Sequence, residues 1–179
     1  MPIPFYILAR LEKKDPNYKN VEVRGCRLDD NELELLISKI LANPQVETVD
    51  FSHNILSNRS VKFLSLLPET IKSLDLSRNN FNDAAVPNIL NDIKIKKIDL
   101  SYNSISNKSL NCLTTNKEKT YLNVSHTEIE SADAIAVYKN AQNNSNKKTG
   151  TPGTQHSHGN CNENYENGTQ TIGISKLSV

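Results

Sequence analysis

Four acidic residues recur along the chain at nearly constant intervals: Glu22, Asp50, Asp75 and Asp99 lie 28, 25 and 24 residues apart. Carboxylates brought side by side by a periodic fold would suit a cation or a basic partner. The same carboxylates can equally be solvated, or paired with neighbours such as Lys72, Lys96 and Lys97. A second set keeps the rhythm three residues later: Gly25, His53, Arg78, Tyr102 and His126. Arginine and tyrosine are enriched at protein-binding hot spots, and side chains this large are not needed to build a repeat. The candidate contact residues for a partner protein are therefore Glu22, Asp50, His53, Asp75, Arg78, Asp99, Tyr102 and His126.

Other reactive residues form weaker constellations. Cys26 falls at a position expected to be buried, and Cys112, between Leu110 and Leu113, is expected in or near the core. Neither has an evident histidine base beside it. His53 and His126 stand three repeats apart, too far to share a metal. The stretch HSHGNC offers His156, His158 and Cys161, but a zinc site normally takes four ligands from a fixed framework. No metal, cofactor or catalytic residue is assigned. Glycine-rich phosphate loops, H-E-x-x-H and G-x-S-x-G are all missing, and a non-catalytic chain is expected.

The elements that must position these residues are written as a repeat. VETVDFSHN from Val46 returns as IKSLDLSRN from Ile71 and IKKIDLSYN from Ile95. The pattern is apolar-x-x-apolar-x-apolar-x-x-Asn-x-apolar, with Asn54, Asn79 and Asn103 spaced 25 and 24 residues apart. Two outer copies keep the later apolar positions and lose the asparagine. One has Val21, Val23, Cys26 and Leu28; the other has Leu122, Val124, Thr127 and Ile129. Their first apolar position is taken by Tyr18 and Lys119. Seven residues after the asparagine position come Leu33, Val61, Val86, Leu110 and Ala134. Ten after it come Leu36, Leu64, Ile89, Leu113 and Val137. A period of this length belongs to stacked solenoid units.

The pattern LxxLxLxxNxL with a short helical return resembles the leucine-rich repeat family over about Tyr18 to Asn140. The 28-residue first unit is similar to the ribonuclease-inhibitor subtype and the 24–25-residue units to shorter subtypes. The resemblance implies an α/β solenoid, a right-handed βα superhelix of about five repeats with a parallel concave sheet and a helical or irregular convex side. Within each unit the strand alternation predicts Leu74 and Leu76 inward and Asp75 outward. In the first return, Asp29 or Asp30 can cap a helix whose face carries Leu33, Leu36, Ile37, Ile40 and Leu41, stopped by Asn43-Pro44. Pro87 suits the first turn of a short return helix. Residues 1–17 are expected to form an N-terminal cap, 18–142 the repeats, and 143–179 a disordered polar tail. A helix from Ser131 to about Ala141 is expected to close the far end.

Net charge is +1, which gives no field to gather nucleic acid or a membrane surface. No apolar run approaches the ~20 residues of a membrane span, and the early charges in MPIPFYILARLEKK follow the apolar residues, unlike a secretory signal. Three scattered cysteines make no disulfide framework and favour a reducing, cytoplasmic setting. The functional expectation is a monomeric protein-binding module that uses its concave face. The alternative is a regulatory or substrate-recognition subunit of an enzyme whose catalytic chain is separate. The Asn-, Lys- and Ile-rich composition, the polar C-terminal stretch and Leu177 also resemble effectors that intracellular bacteria deliver into host cells by type IV secretion, without a classical signal peptide.

Overall fold

A computed structural model describes residues 3–148. The HSHGNC cluster, Leu177 and most of the expected 143–179 tail lie outside the described residues. Five three-residue strands form one parallel sheet in chain order: β1 (Asn20–Glu22), β2 (Thr48–Asp50), β3 (Ser73–Asp75), β4 (Lys97–Asp99) and β5 (Tyr121–Asn123). The register follows the repeat. Val21, Val49, Leu74, Ile98 and Leu122 stand opposite one another and are buried. One residue on, Glu22, Asp50, Asp75, Asp99 and Asn123 stand opposite one another on the other face. A period of two residues along each strand therefore becomes two rows across the sheet.

The opposite, convex layer holds α2 (Asp30–Leu41), α3 (Val61–Leu64), α4 (Val86–Asn91) and α5 (Leu110–Thr115), with a 3₁₀ turn leading into α3 and α5. Asp29 is the N-cap of α2: its carboxylate accepts from the Asn31 and Glu32 amides at 2.9 Å, and the Glu32 carboxylate accepts from the Asp29 amide. This capping box satisfies donors the first turn would otherwise strand. Leu33, Leu36, Ile37 and Ile40 are buried, whereas Leu41 is exposed. It lies at the rim of a surface groove shared with Lys62, Phe63 and Leu66 of the neighbouring return. Pro87 sits in the first turn of α4.

Asp30 has a different task. It accepts from the Ser57 amide and from the hydroxyls of Ser57 and Ser60, in the next repeat. Asp83 makes the same three bonds to Ser106 and Ser109. Burial works against ionisation of both acids, but the serine hydrogen bonds outweigh it and hold their carboxyls below the ordinary value.

The repeat asparagines point backwards along the chain. Asn54 Oδ1 accepts from the Leu28 amide at 2.9 Å, and its Nδ2 donates to the Val23 carbonyl at 2.7 Å, both in the preceding repeat. Asn79 does the same for Leu56 N and Phe51 O. Asn103 does so for Phe81 N and Leu76 O, each at 3.0 Å. Each also donates to its own strand, at Phe51, Leu76 and Leu100. Among the described residues no strand precedes β1, so Cys26 can replace asparagine there. Cys26 is half-buried, not buried as its position predicted, and its thiol reaches only the Arg24 carbonyl at 3.5 Å. Thr127 keeps only the local bond, to the Val124 carbonyl.

The outward aspartates also have a backbone role. Asp50, Asp75 and Asp99 each accept from the amide two residues on, at Ser52, Ser77 and Ser101, at 2.8 Å. Asn123 does the same with Ser125 at 3.0 Å. These Asx turns end each strand.

The two ends are closed differently. At the first, α1 (Phe5–Glu12) buries Ile7 and Leu11, and Asn43 ties it down by donating to the Leu11 carbonyl. At the second, α6 (Ser131–Lys148) packs on β5 and α5, and it continues past the expected end near Ala141. Polar residues there are structural: Asn140 and Asn144 donate to the Asn116 carbonyl, and Asn144 also to that of Lys119. Lys119 is buried, its stem filling an apolar position while its ammonium donates to the Ile93 carbonyl, as amphipathic stems allow. Among the described residues β1 has a strand on one side only.

Two outcomes are expected. Asn103→Ala strips the Phe81 amide and the Leu100 carbonyl of their partner, while the Leu76 carbonyl keeps Asn79, at about 1–3 kcal/mol per stranded group; urea unfolding should show a loss of about 3 kcal/mol, and a loss below about 1 would show that the ladder contributes little. Asp75→Asn concerns charge. Burial raises the Asp75 carboxyl above its ordinary value, opposed by the Ser77 bonds and reinforced by Asp99 and Asp50. A raised acid in the folded state stabilises it below the unfolded value and loses that contribution as pH rises through the folded value. Asparagine can keep the turn bond, as Asn123 does. Asp75→Asn should therefore raise the thermal midpoint at pH 7 by a few degrees, on the scale of ~2–4 °C per kcal/mol, and the gain should vanish as pH falls towards 3.8.

Candidate protein-binding face

Gly25, His53, Arg78, Tyr102 and His126 all adopt left-handed backbone, with φ of 67°, 56°, 54°, 56° and 54°. Four continue the ladder beyond the strands: the amides of Gly25, His53, Arg78 and Tyr102 donate to the carbonyls of Ser52, Ser77, Ser101 and Ser125, at 2.9–3.0 Å. Stacking thus holds the chain in a conformation that costs a non-glycine residue about 1–2 kcal/mol. Glycine, or a short asparagine, is the inexpensive solution. Only the first repeat uses it.

The side chains placed there make two contact groups, His53 with Arg24 and Arg78 with Tyr102 and His126. Arg24 Nη2 lies 2.9 Å from His53 Nε2. The Arg78 guanidinium lies 3.6 Å from the centroid of the Tyr102 ring. Tyr102 and His126 are stacked, with centroids 4.2 Å apart and planes within 13°. Parallel strands sit ~4.8 Å apart, so planar groups at one repeat position meet face to face. Desolvation, then Arg24 and Arg78, hold the His53 imidazole below its ordinary pKa. Its neutral form can therefore accept from Arg24. The sequence candidates do not include Arg24. Its one signal there is an outward position in the first repeat, beside the histidine of the next.

Beside this ridge runs the acidic row. Glu22, Asp50, Asp75 and Asp99, with Lys97 and Tyr121, line an open groove of about 470 Å³. Asp99 accepts from Asn123 Nδ2 at 2.8 Å. Burial, then Asp99, pushes the Tyr121 hydroxyl up to about 12. Two of the lysines expected to neutralise the row go elsewhere. Lys72 and Lys19 pair with Glu47, and Lys96 pairs with Glu118 at 3.0 Å. Lys72, then Lys19, hold the Glu47 carboxyl down at about 2. Asp50, Asp75 and Asp99 are hydrogen-bonded to backbone at their turns, and that demand accounts for their recurrence.

The eight candidates therefore fall into two adjacent rows, one acidic and half-engaged, the other aromatic and cationic. Among the described residues no group of three or more His, Cys, Asp and Glu could hold a metal ion. Cys26 and Cys112 are half-buried, and burial raises both thiols above their ordinary pKa. Among the described residues no helix is long and apolar enough to cross a membrane.

A family model described as a leucine-rich repeat matches residues 68–86. No curated protein matches the sequence. Among solved structures, the chain is similar to leiomodin-1 actin-binding site 2, with 17% identity, a TM-score of 0.60, and coverage of 80% of this chain and 90% of that one. It is also similar to the tropomodulin C-terminal domain of Caenorhabditis elegans, with 15% identity, a TM-score of 0.60, and coverage of 80% and 94%. Identities this low speak for architecture alone, and the architecture is the same one reached from the repeat, the register and the asparagines. The fold is that of a leucine-rich repeat α/β solenoid.

Proposed function

We propose that the chain is a non-catalytic module that binds another protein on its concave sheet, with the ridge of Arg24, His53, Arg78, Tyr102 and His126 as the main contact edge. The observation that carries this reading is the ridge's backbone. Four successive repeats put a large planar side chain where glycine would be cheaper, and three of those side chains stack in a row. Nothing in the repeat's own packing requires them. A stack already ordered before contact loses little rotamer freedom on binding, and the sheet beside it offers the flat area of a modest interface, on the order of 800 Å² per partner.

The partner is the finer part of the proposal. The leiomodin-1 structure is that of an actin-binding site, which makes actin the first candidate to try. The reading as a delivered bacterial effector rests on composition and on residues outside the described region. The alternative, a recognition subunit of a separate catalytic chain, uses the same face. Affinity capture with the full chain, alongside purified actin as a defined arm, tests the reading. A stoichiometric partner should bind, and Arg78→Ala with Tyr102→Ala should weaken it at least ~tenfold, the effect of losing a hot spot. Unchanged affinity in the double variant, with its thermal midpoint intact, would place the contact elsewhere.

A further inference from the structure

Among the described residues, Arg78 is a cation without a counter-ion. Arg10, Lys19, Lys39, Lys72 and Lys96 each have a carboxylate within ion-pair distance. Arg78 shares with Arg24, Arg27 and Arg59 the lack of one at that distance, although the acidic row runs alongside it. Asp75 and Asp99 direct an oxygen at the amides of Ser77 and Ser101 instead. What Arg78 has is a backing plate: the Tyr102 ring covers one face of its guanidinium at 3.6 Å. A guanidinium carries its donors in its own plane, in a fork that matches a carboxylate. Stacking occupies the face and leaves that fork available. The left-handed backbone at Arg78 and Tyr102 fixes where the stack stands.

Building on the proposed binding face, we propose that Arg78 is the anchor for a carboxylate of the partner protein, gripped by the guanidinium fork with Tyr102 behind it. Arg24 supplies a second donor two strands along, roughly 10 Å away at ~4.8 Å per strand. Neutral His53 stands between them and accepts from Arg24. The partner segment therefore presents two carboxylates about 10 Å apart on one face, which residues i and i+3 of a polyproline II segment provide, at three residues per turn and ~3.1 Å per residue. Charge-assisted, two-pronged bonds of this kind are among the strongest polar contacts.

The test uses the full chain, isotope-labelled, with a blocked tetraglutamate peptide as probe. Blocked tetraglutamine and inorganic phosphate are the comparison arms. The expected result is saturable movement of the Arg78 Nε and Tyr102 ring resonances with tetraglutamate only, weakening as salt is raised. Arg78→Lys keeps the charge but loses the fork, and should weaken the probe about tenfold or more with no change in thermal midpoint. Absence of movement, equal movement at Arg10 and Arg59, or equal binding of phosphate each overturns the carboxylate assignment. If the probe fails while Arg78→Ala with Tyr102→Ala still releases a captured partner, the face is right and its chemistry is wrong. If neither responds, the binding face itself is misplaced.

Discussion

A buried asparagine that bonds backwards is the constraint on which the structure depends. One short amide accepts from the previous repeat's backbone and donates to two carbonyls, one in that repeat and one in its own strand. No apolar side chain can do this, and a turn left without it would strand polar groups in the core. The bond also sets the stacking distance and the register. Once adjacent repeats are locked by it, Val49, Leu74 and Ile98 have no choice but to face one another.

Exact stacking has a consequence for the surface. Residues at one repeat position become neighbours although they are some 25 residues apart in the chain. The fold therefore converts a spelling habit into a physical row. Asp-x-Ser yields a row of carboxylates because the turn needs an acceptor there. The next row is free of that demand, and a backbone cost of about 1–2 kcal/mol is all that stands against residues other than glycine there. Its occupants can be selected for contact, and the fold brings their flat faces together.

Much of this is legible in the amino acids. The five units, the strand alternation, the capping of the first return and the two candidate rows all follow from spacing, because a repeat reports its own register. What escapes such a reading depends on direction or distance. The serine clamps on Asp30 and Asp83 join residues of different repeats whose composition looks like ordinary loop. Asn144 resembles part of a polar tail until it is seen against the open carbonyls of Asn116 and Lys119. Lys119 replaces an apolar residue, and only its burial shows that the stem does the packing. Arg78 is a candidate by type; its stacking on Tyr102 and its lack of a carboxylate partner among the described residues are properties of the assembled sheet.

The sheet's two margins are unlike. A long helix lies against the last strand, whereas the first strand has a neighbour on one side only among the described residues. Fibre growth by strand pairing requires a donor margin and an acceptor margin on the same molecule. With α6 across the last strand, that margin is withdrawn from strand pairing whatever the α1 end does, so growth of this kind cannot propagate. The asymmetric cap thus guards an all-parallel, repetitive sheet against open-ended polymerisation.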